Sequence, residues 1–233
     1  MSHKPQDIII LGAGGNSIAI ADAIFAINAL SPKTPRYRLM GFLDDLPQNR
    51  NGFLMGHPIL GTIDTAKQWE DCKFINGIAS LTSYHKKSDV IARSKICPSD
   101  FETIVHPRAV IAADAVVGHG CAIMANSVLC SQSVLGNHVL MLQNSTVNHH
   151  AQLSNFVTLS AGVTILGYVQ IEEGAFIGGG AAIAPYIRIG SMALVGMGSA
   201  VIRDVAAGTV VAGNPARRLS SSQYSLAKDS NQN

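Results

Sequence analysis

Val147-Asn148-His149-His150-Ala151-Gln152-Leu153-Ser154-Asn155-Phe156-Val157-Thr158-Leu159 places an aliphatic residue at 147, 153 and 159, and a compact one, Ala151 or Val157, four positions after each of the first two. Read outward in both directions, the phase does not slip. The aliphatic series begins at Val105 and passes through Ile111, Val117, Ile123, Leu129, Leu135 and Met141. Beyond the quoted stretch it continues through Ile165, Ile171, Ile177, Ile183, Ile189 and Val195 to Val201. The compact series runs from Ala109 to Val205, with Ile187 as its one bulky member. Neither the helical period of about 3.6 residues nor the strand period of about 2 yields a strict six. Such a spacing belongs to a solenoid, whose repeats are unstable alone and bury one continuous core when stacked. Each hexad is expected to form a short strand and a turn, three of them closing a triangular coil of about 18 residues. The 17 hexads then make between five and six coils without a long loop, the aliphatic residue pointing inward and the compact one sitting at a corner.

The 233 residues suffice for two small domains, and the halves read so differently that two are expected: 1–100, and 101–219 followed by a disordered polar tail, 220–233. Charged residues make up 14% and the net charge is +2, which gives no electrostatic reason to expect nucleic acid or membrane as a partner. The longest apolar stretch, Ile18 to Leu30, is interrupted by Asp22 and Asn28 and is too short to span a bilayer. Met1 to Asp7 has no apolar signal segment, so a cytoplasmic location is expected. Cys72, Cys97, Cys121 and Cys130 have no paired spacing and read as free thiols, implying neither a disulfide framework nor a metal site.

In the first half, Asp7 to Leu11 reads as a strand, Gly12-Ala13-Gly14-Gly15-Asn16-Ser17 as a glycine loop, and Ile18 to about Leu30 as a helix. Such glycines let backbone amides approach an anionic ligand at a helix N-terminus, although Ser17 stands where the dinucleotide fingerprint has its third glycine. Tyr37 to Leu43 reads as a second strand with Asp44 and Asp45 at its end, on the ligand side of a doubly wound sheet. Those carboxylates either hold a ribose hydroxyl or base edge or lie in a solvated turn before Pro47. Asn49 to Gly61 reads as loop, Asp64 to Glu70 as a short helix capped by Asp64, Lys73 to Ala79 as a third strand, and Ser83 to Ser94 as a helix rich in Lys and Arg.

After the hexads comes Ala212-Gly213-Asn214-Pro215-Ala216-Arg217-Arg218, similar to the closing Gly-x-Pro-Ala-basic segment of hexapeptide acyltransferases. With the hexads and the glycine loop, the chain resembles the PglD/NeuD-like sugar acetyltransferases. The resemblance implies an α/β Rossmann-like N-terminal domain followed by an all-β left-handed parallel β-helix; the hand comes from the resemblance alone, since parallel crossovers in general favour the opposite one. It also implies a homotrimer, acetyl-CoA as co-substrate, and no metal. The N-terminal domain would bind a nucleotide-linked amino sugar through Gly12, Gly14, Gly15, Asn16, Asp44, Asp45 and Gly77. Asn16 departs from the family, which commonly has histidine there.

The run Asn144 to Ala151 matches the family's active-site hexad, making His149 the general base. The next position is usually Asp or Glu, whose carboxylate orients the imidazole and stabilises its protonated form; here it is His150. Three readings stay open: a carboxylate from a neighbouring subunit takes over, the base works unassisted, or activity is lost. Activity is favoured, since acid–base help supplies only part of an acyltransferase's rate. By the same register Thr158, Gly167, Gly178, Gly179, Ala184, Gly196 and Met197 would contact acetyl-CoA, with the Gly167 amide on the thioester carbonyl. Thr158 stands where many members carry histidine. Taken singly, such glycines serve the turns of a coil.

The expected activity is N-acetylation of a nucleotide-linked, UDP-carried 4-amino-4,6-dideoxy sugar, in surface glycan biosynthesis. An amine needs less help from a base than a hydroxyl does, which favours this over O-acetylation of the sialic-acid type. A zinc hydratase built on hexads needs a His-x4-His pair, and no two of His119, His138, His149 and His150 are five apart. A non-catalytic β-helix assembly protein would need neither the His149 hexad nor the glycine loop.

Overall fold

A computed structural model describes residues 4–220, so all but the first residue of the expected tail lies outside the described residues. The first half is a parallel sheet, β1 (Gln6–Leu11), β2 (Tyr37–Leu43), β4 (His57–Gly61) and β5 (Lys73–Asn76), in the order β4-β2-β1-β5, edged by the short antiparallel β3 (Phe53–Leu54). Ile8 to Leu11 of β1 are fully buried, as befits a central parallel strand covered on both faces. Helix α1 (Gly15–Ala29) starts earlier than the apolar pattern, because the glycine loop itself forms its first turn: the Ser17 and Ile18 amides both donate to Gly14 O.

Three expectations are corrected. Asn49 to Gly61 is not loop throughout: it holds the hairpin β3–β4, and β4 adds to the sheet beside β2. The segment at Asp64 is a 3-10 helix, Ile63–Gln68, preceded by Thr62, with Asp64 inside its first turn. The basic helix is split into a 3-10 turn, Tyr84–Lys86, and α2 (Lys87–Ser94).

From Ile104 the chain winds as a parallel β-helix whose two-residue strands pair eighteen positions apart, for example Val128 with Thr146 and Thr146 with Thr164. The first face runs from Val110–Ile111 to Ala200–Val201, the second from Val116–Val117 to Arg188–Ile189, and the third from Ile104–Val105 to Leu194–Val195. The third face continues with Val210–Ala212 and ends on the antiparallel strand Arg217–Arg218. Every sixth residue from Gly120 to Gly198 has a positive φ, and the compact residue follows it at each corner. Both series point inward and share one apolar cluster. Where the corner residue is serine it is buried with its hydroxyl engaged: Ser127 donates to Leu142 O at 3.0 Å and Ser145 to Ser160 O at 2.9 Å. Among the described residues no helix is long and apolar enough to cross a membrane.

The N-terminal unit is packed onto the third face. Ile20, Ala21 and Ile24 of α1 join Ile104, Ala122, Met124 and Leu140 in one buried cluster. Lys87 of α2 is entirely buried and donates to His138 O (3.1 Å), Phe156 O (3.0 Å) and Thr158 Oγ1 (3.1 Å) on the corner between the second and third faces; burial pulls its amine down to about 7. His138 stacks on Phe156 with centroids 5.2 Å apart and meets the edge of Phe101 at 4.6 Å. Its Nδ1 has no partner among the described residues, and burial, then Lys87, then His119 push its pKa down to about 4.

The unfolded chain protonates His138 near 6.5, whereas the folded ring resists until about 4. The resulting stability is present above the unfolded value and is lost as pH falls toward 4, a contribution on the order of 3 kcal/mol. Urea unfolding midpoints measured at pH 7 and pH 4.5 are expected to fall less in His138→Phe, which keeps the stacking, than in the wild type.

Candidate active site

The C-terminal ends of β1, β2 and β5 and the start of α1 surround a cleft of about 560 Å³, lined by all seven residues expected there: Gly12, Gly14, Gly15, Asn16, Asp44, Asp45 and Gly77. Their reasons for being present differ. Gly12 has φ +91, and a Cβ on it would lie 2.6 Å from Ile78. A Cβ on Gly77 would collide with the Ser17 hydroxyl. Ser17 is itself buried and donates to Gly12 O at 2.8 Å, so the close helix–strand approach of a third glycine is obtained from the Ser17–Gly77 pair. A Cβ on Gly14 or Gly15 meets nothing within 4 Å. Packing does not require glycine at these two positions; the bare backbone leaves room for an anion at the start of α1.

Asp44 accepts from the Ala13 amide at 2.6 Å and the Leu46 amide at 2.7 Å, holding the glycine loop in shape. Asp45 accepts from the Ile63 amide at 3.0 Å and from Arg93 at 2.6 Å. Both therefore carry structural bonds as well as facing the cleft. Lys86 and Arg93 bring positive charge to the same rim. The sequence showed them only as part of a basic helix; their place beside the glycine loop depends on how α2 packs.

His149 lies on the corner between the first and second faces. A Cβ on Gly167 would come within 2.7 Å of its ring, so glycine at 167 lets the imidazole lie against the backbone of the next coil. His149 Nδ1 and His150 Nδ1 are 3.1 Å apart. One must donate and the other accept. With His149 as donor, its Nε2 lone pair is free to act as base, and His150 accepts as a carboxylate would, but without the negative charge. His150 also stacks on Tyr168 at 4.6 Å, which fixes its ring plane.

Asp114 stands on the same corner two coils earlier. Its carboxylate accepts from Ser131 Oγ at 2.7 Å, and Ser131 O accepts from the His150 amide at 3.3 Å. The Ser131 hydroxyl is the main reason its carboxyl lies below the ordinary range, with His150 among the lesser ones. The steps 114, 132, 150 in the eighteen-residue register were the available signal for this neighbour.

The residues expected along acetyl-CoA fall in three places. Gly167 and Ala184 share the corner of His149. Gly178, Gly179, Gly196 and Met197 lie on the corner between the third and first faces, with the outward-facing Thr146, Thr164, Ala182 and Ala200 of the first face between the two groups. A Cβ on Gly178 would approach Met197 N to 2.6 Å and one on Gly196 would approach Ala212 to 2.8 Å, so coil stacking alone requires these two glycines. Thr158 is a correction: it lies on the third face, is 1% exposed, and its hydroxyl is held by Lys87, so in this arrangement it is sealed off from any thioester. No group of His, Cys, Asp and Glu suited to a metal ion occurs among the described residues.

Residues 7–90 match the family described as the PglD N-terminal domain. No curated protein matches the chain by sequence. The acetyltransferase domain of PglB from Neisseria gonorrhoeae FA1090, solved in complex with acetyl coenzyme A, is similar over 93% of this chain and 100% of that one, at 27% identity and a TM-score of 0.78. WeeI from Acinetobacter baumannii AYE is similar over 92% of this chain and 100% of that one, at 25% identity and a TM-score of 0.70. PerB from Caulobacter crescentus, solved with CoA and GDP-perosamine, shares the fold at 21% identity and a TM-score of 0.78, over 92% and 97% of the two chains.

Since a Cβ on Gly15 meets nothing within 4 Å, Gly15→Val is expected to leave the melting temperature unchanged while weakening, by about tenfold or more, the binding of a nucleoside diphosphate, with UDP and GDP titrated in turn by isothermal titration.

Proposed function

We propose that this PglD-like acetyltransferase moves the acetyl group of acetyl-CoA to the amino group of a nucleotide-linked 4-amino-4,6-dideoxy sugar, with UDP as the carrier, in surface glycan biosynthesis. The observation that carries the chemistry is the paired imidazole: His149, seated on Gly167, has its Nδ1 satisfied by His150, which leaves Nε2 as the base. The acetyltransferase class is further supported by the full-length similarity to a domain solved with acetyl coenzyme A, and the nucleotide sugar by the match of residues 7–90 and the open glycine cleft.

In this reading the acceptor amine attacks the thioester carbonyl and its nitrogen loses a proton to His149 Nε2. The Gly167 amide, which has no acceptor among the described residues, donates to the developing oxyanion. The C–S bond then breaks, and the CoA thiolate leaves, taking up the proton that His149 Nε2 received from the amine. The contact between the two Nδ1 atoms holds the His149 ring with Nε2 directed at the amine. An amine acceptor suits this arrangement, because it needs less general-base assistance than a hydroxyl.

The N-terminal unit that holds the cleft packs on the third face, and His149 is on the corner opposite that face. A nucleotide sugar in the cleft of one subunit therefore meets His149 most readily in a neighbouring subunit. This supports a homotrimer with active sites between prisms, and a pantetheine lying along the first face between the corners of Gly167 and Gly178. The site residues retained are His149 and His150 for catalysis, the seven cleft residues for the nucleotide, and Gly167, Gly178, Gly179, Ala184, Gly196 and Met197 for acetyl-CoA. A cytoplasmic location is part of the proposal, since acetyl-CoA and sugar nucleotides are available there.

The test follows free thiol from acetyl-CoA with a panel of UDP-, GDP- and dTDP-linked amino sugars. Release with one amino sugar is expected, lowered by roughly a hundredfold or more in His149→Ala. His150→Phe, which keeps the stack but cannot accept from His149, is expected to lower kcat by about tenfold or more, and His150→Asp to restore it. Thiol release that needs no sugar, or that survives in His149→Ala, would defeat the proposal.

A further inference from the structure

The three corners of the prism use their left-handed turn position differently. Between the third and first faces it is held by Asn126, Asn144, Gly162, Gly180 and Gly198, residue types that adopt positive φ most cheaply. Between the second and third faces it is held by Gly120, His138, Phe156, Gly174 and Met192, and the N-terminal domain covers that corner through Lys87 and Tyr84. Between the first and second faces it is held by Gln132, His150, Tyr168 and Tyr186. Tyr168 and Tyr186 have φ 61 and 63 and are 41% and 74% exposed. Neither turn geometry nor core packing accounts for an aromatic ring at either position.

The rings of His150, Tyr168 and Tyr186 form a ladder, with centroid separations of 4.6 and 4.9 Å and interplanar angles of 23° and 6°. It walls a cavity of about 450 Å³ whose other side is the second face, with Gln152, Gln170 and Arg188. The side-chain amides of Gln152 and Gln170 make no hydrogen bond among the described residues, while Glu172 holds Arg188. At the foot of the ladder Tyr168 meets His149 edge-on at 5.3 Å.

An exposed aromatic face flanked by planar amides is complementary to a pyranose. The axial C–H groups of one sugar face pack on the ring, and the hydroxyls at its rim bond to the amides. A deoxy position enlarges the apolar face. We propose that Tyr168 and Tyr186 form a stacking platform for the acceptor's sugar ring, with Gln152 and Gln170 reading its hydroxyls, so that the amino group is presented to His149. This rests on the acetyl-transfer reading above. A nucleobase would also stack, but the group that must reach His149 is the sugar, and the proposed place for the nucleotide is the glycine cleft.

Tyr186 is the residue to change, because it touches Tyr168 and not His149. With a panel of UDP- and GDP-linked 4-amino-4,6-dideoxyhexoses, Tyr186→Ala is expected to raise KM for the sugar nucleotide about tenfold. KM for acetyl-CoA and the melting temperature should stay unchanged, and Tyr186→Phe should behave as wild type. An unchanged sugar-nucleotide KM in Tyr186→Ala, or a rise confined to acetyl-CoA, overturns the platform. Should the wild type acetylate no member of the panel, the acetyl-transfer reading fails on its own, and saturation-transfer NMR with the same compounds decides the platform. Saturation of pyranose ring protons that Tyr186→Ala removes, while base protons keep theirs, sustains it; saturation confined to the base, or none, overturns it.

Discussion

The pairing of each strand with the one eighteen residues on is the constraint from which the rest of this molecule follows. Backbone amides of one coil donate to carbonyls of the next, as Val128 N does to Ser145 O, Thr146 N to Val163 O and Thr164 N to Ala181 O, at 2.8 to 2.9 Å. Because no hexad is interrupted, this ladder never changes register. A side chain's corner and face are then set by its residue number. That is how His150, Tyr168 and Tyr186, each on a different coil, come to stack, and how the His149 ring comes to rest on Gly167.

The second dependence is the join between the two halves. An apolar cluster shared by α1 and the third face does most of the covering, and Lys87 adds direction by donating to the backbone carbonyls of one corner. Burying an amine is costly unless its donors are satisfied. Here the acceptors lie on four residues of the prism, so the position of α2, and of the Lys86 and Arg93 rim beside the glycine loop, is tied to the coil register.

How far the sequence could be read follows the same division. The hexads made the prism legible nearly residue by residue; for the cleft, the strand, glycine loop and paired carboxylates marked the C-terminal ends of strands, while the choice of the seven positions came from the family resemblance. Thr158 was misplaced because a register assigns a face but not what covers it; Lys87 comes from a part of the chain that periodicity does not describe. Strand β4 was missed because His57-Pro58-Ile59-Leu60-Gly61 has breakers at both ends and pairs with β2 for only a short length. Tyr168 and Tyr186 escaped notice for another reason. A count of aliphatic and compact residues passes over the turn position between them, whose side chain points away from the core.

A stack of parallel coils has no intrinsic end, and its last strand presents the same unpaired edge that accepted every strand before it. On the third face the chain reverses after Val210–Ala212 and lays Arg217–Arg218 antiparallel across that edge. A reversed strand breaks the parallel repeat, and its two exposed arginines put charge on that edge. The face that carries the N-terminal domain is thereby given a definite length, so that one prism does not serve as the template for growth of a fibre.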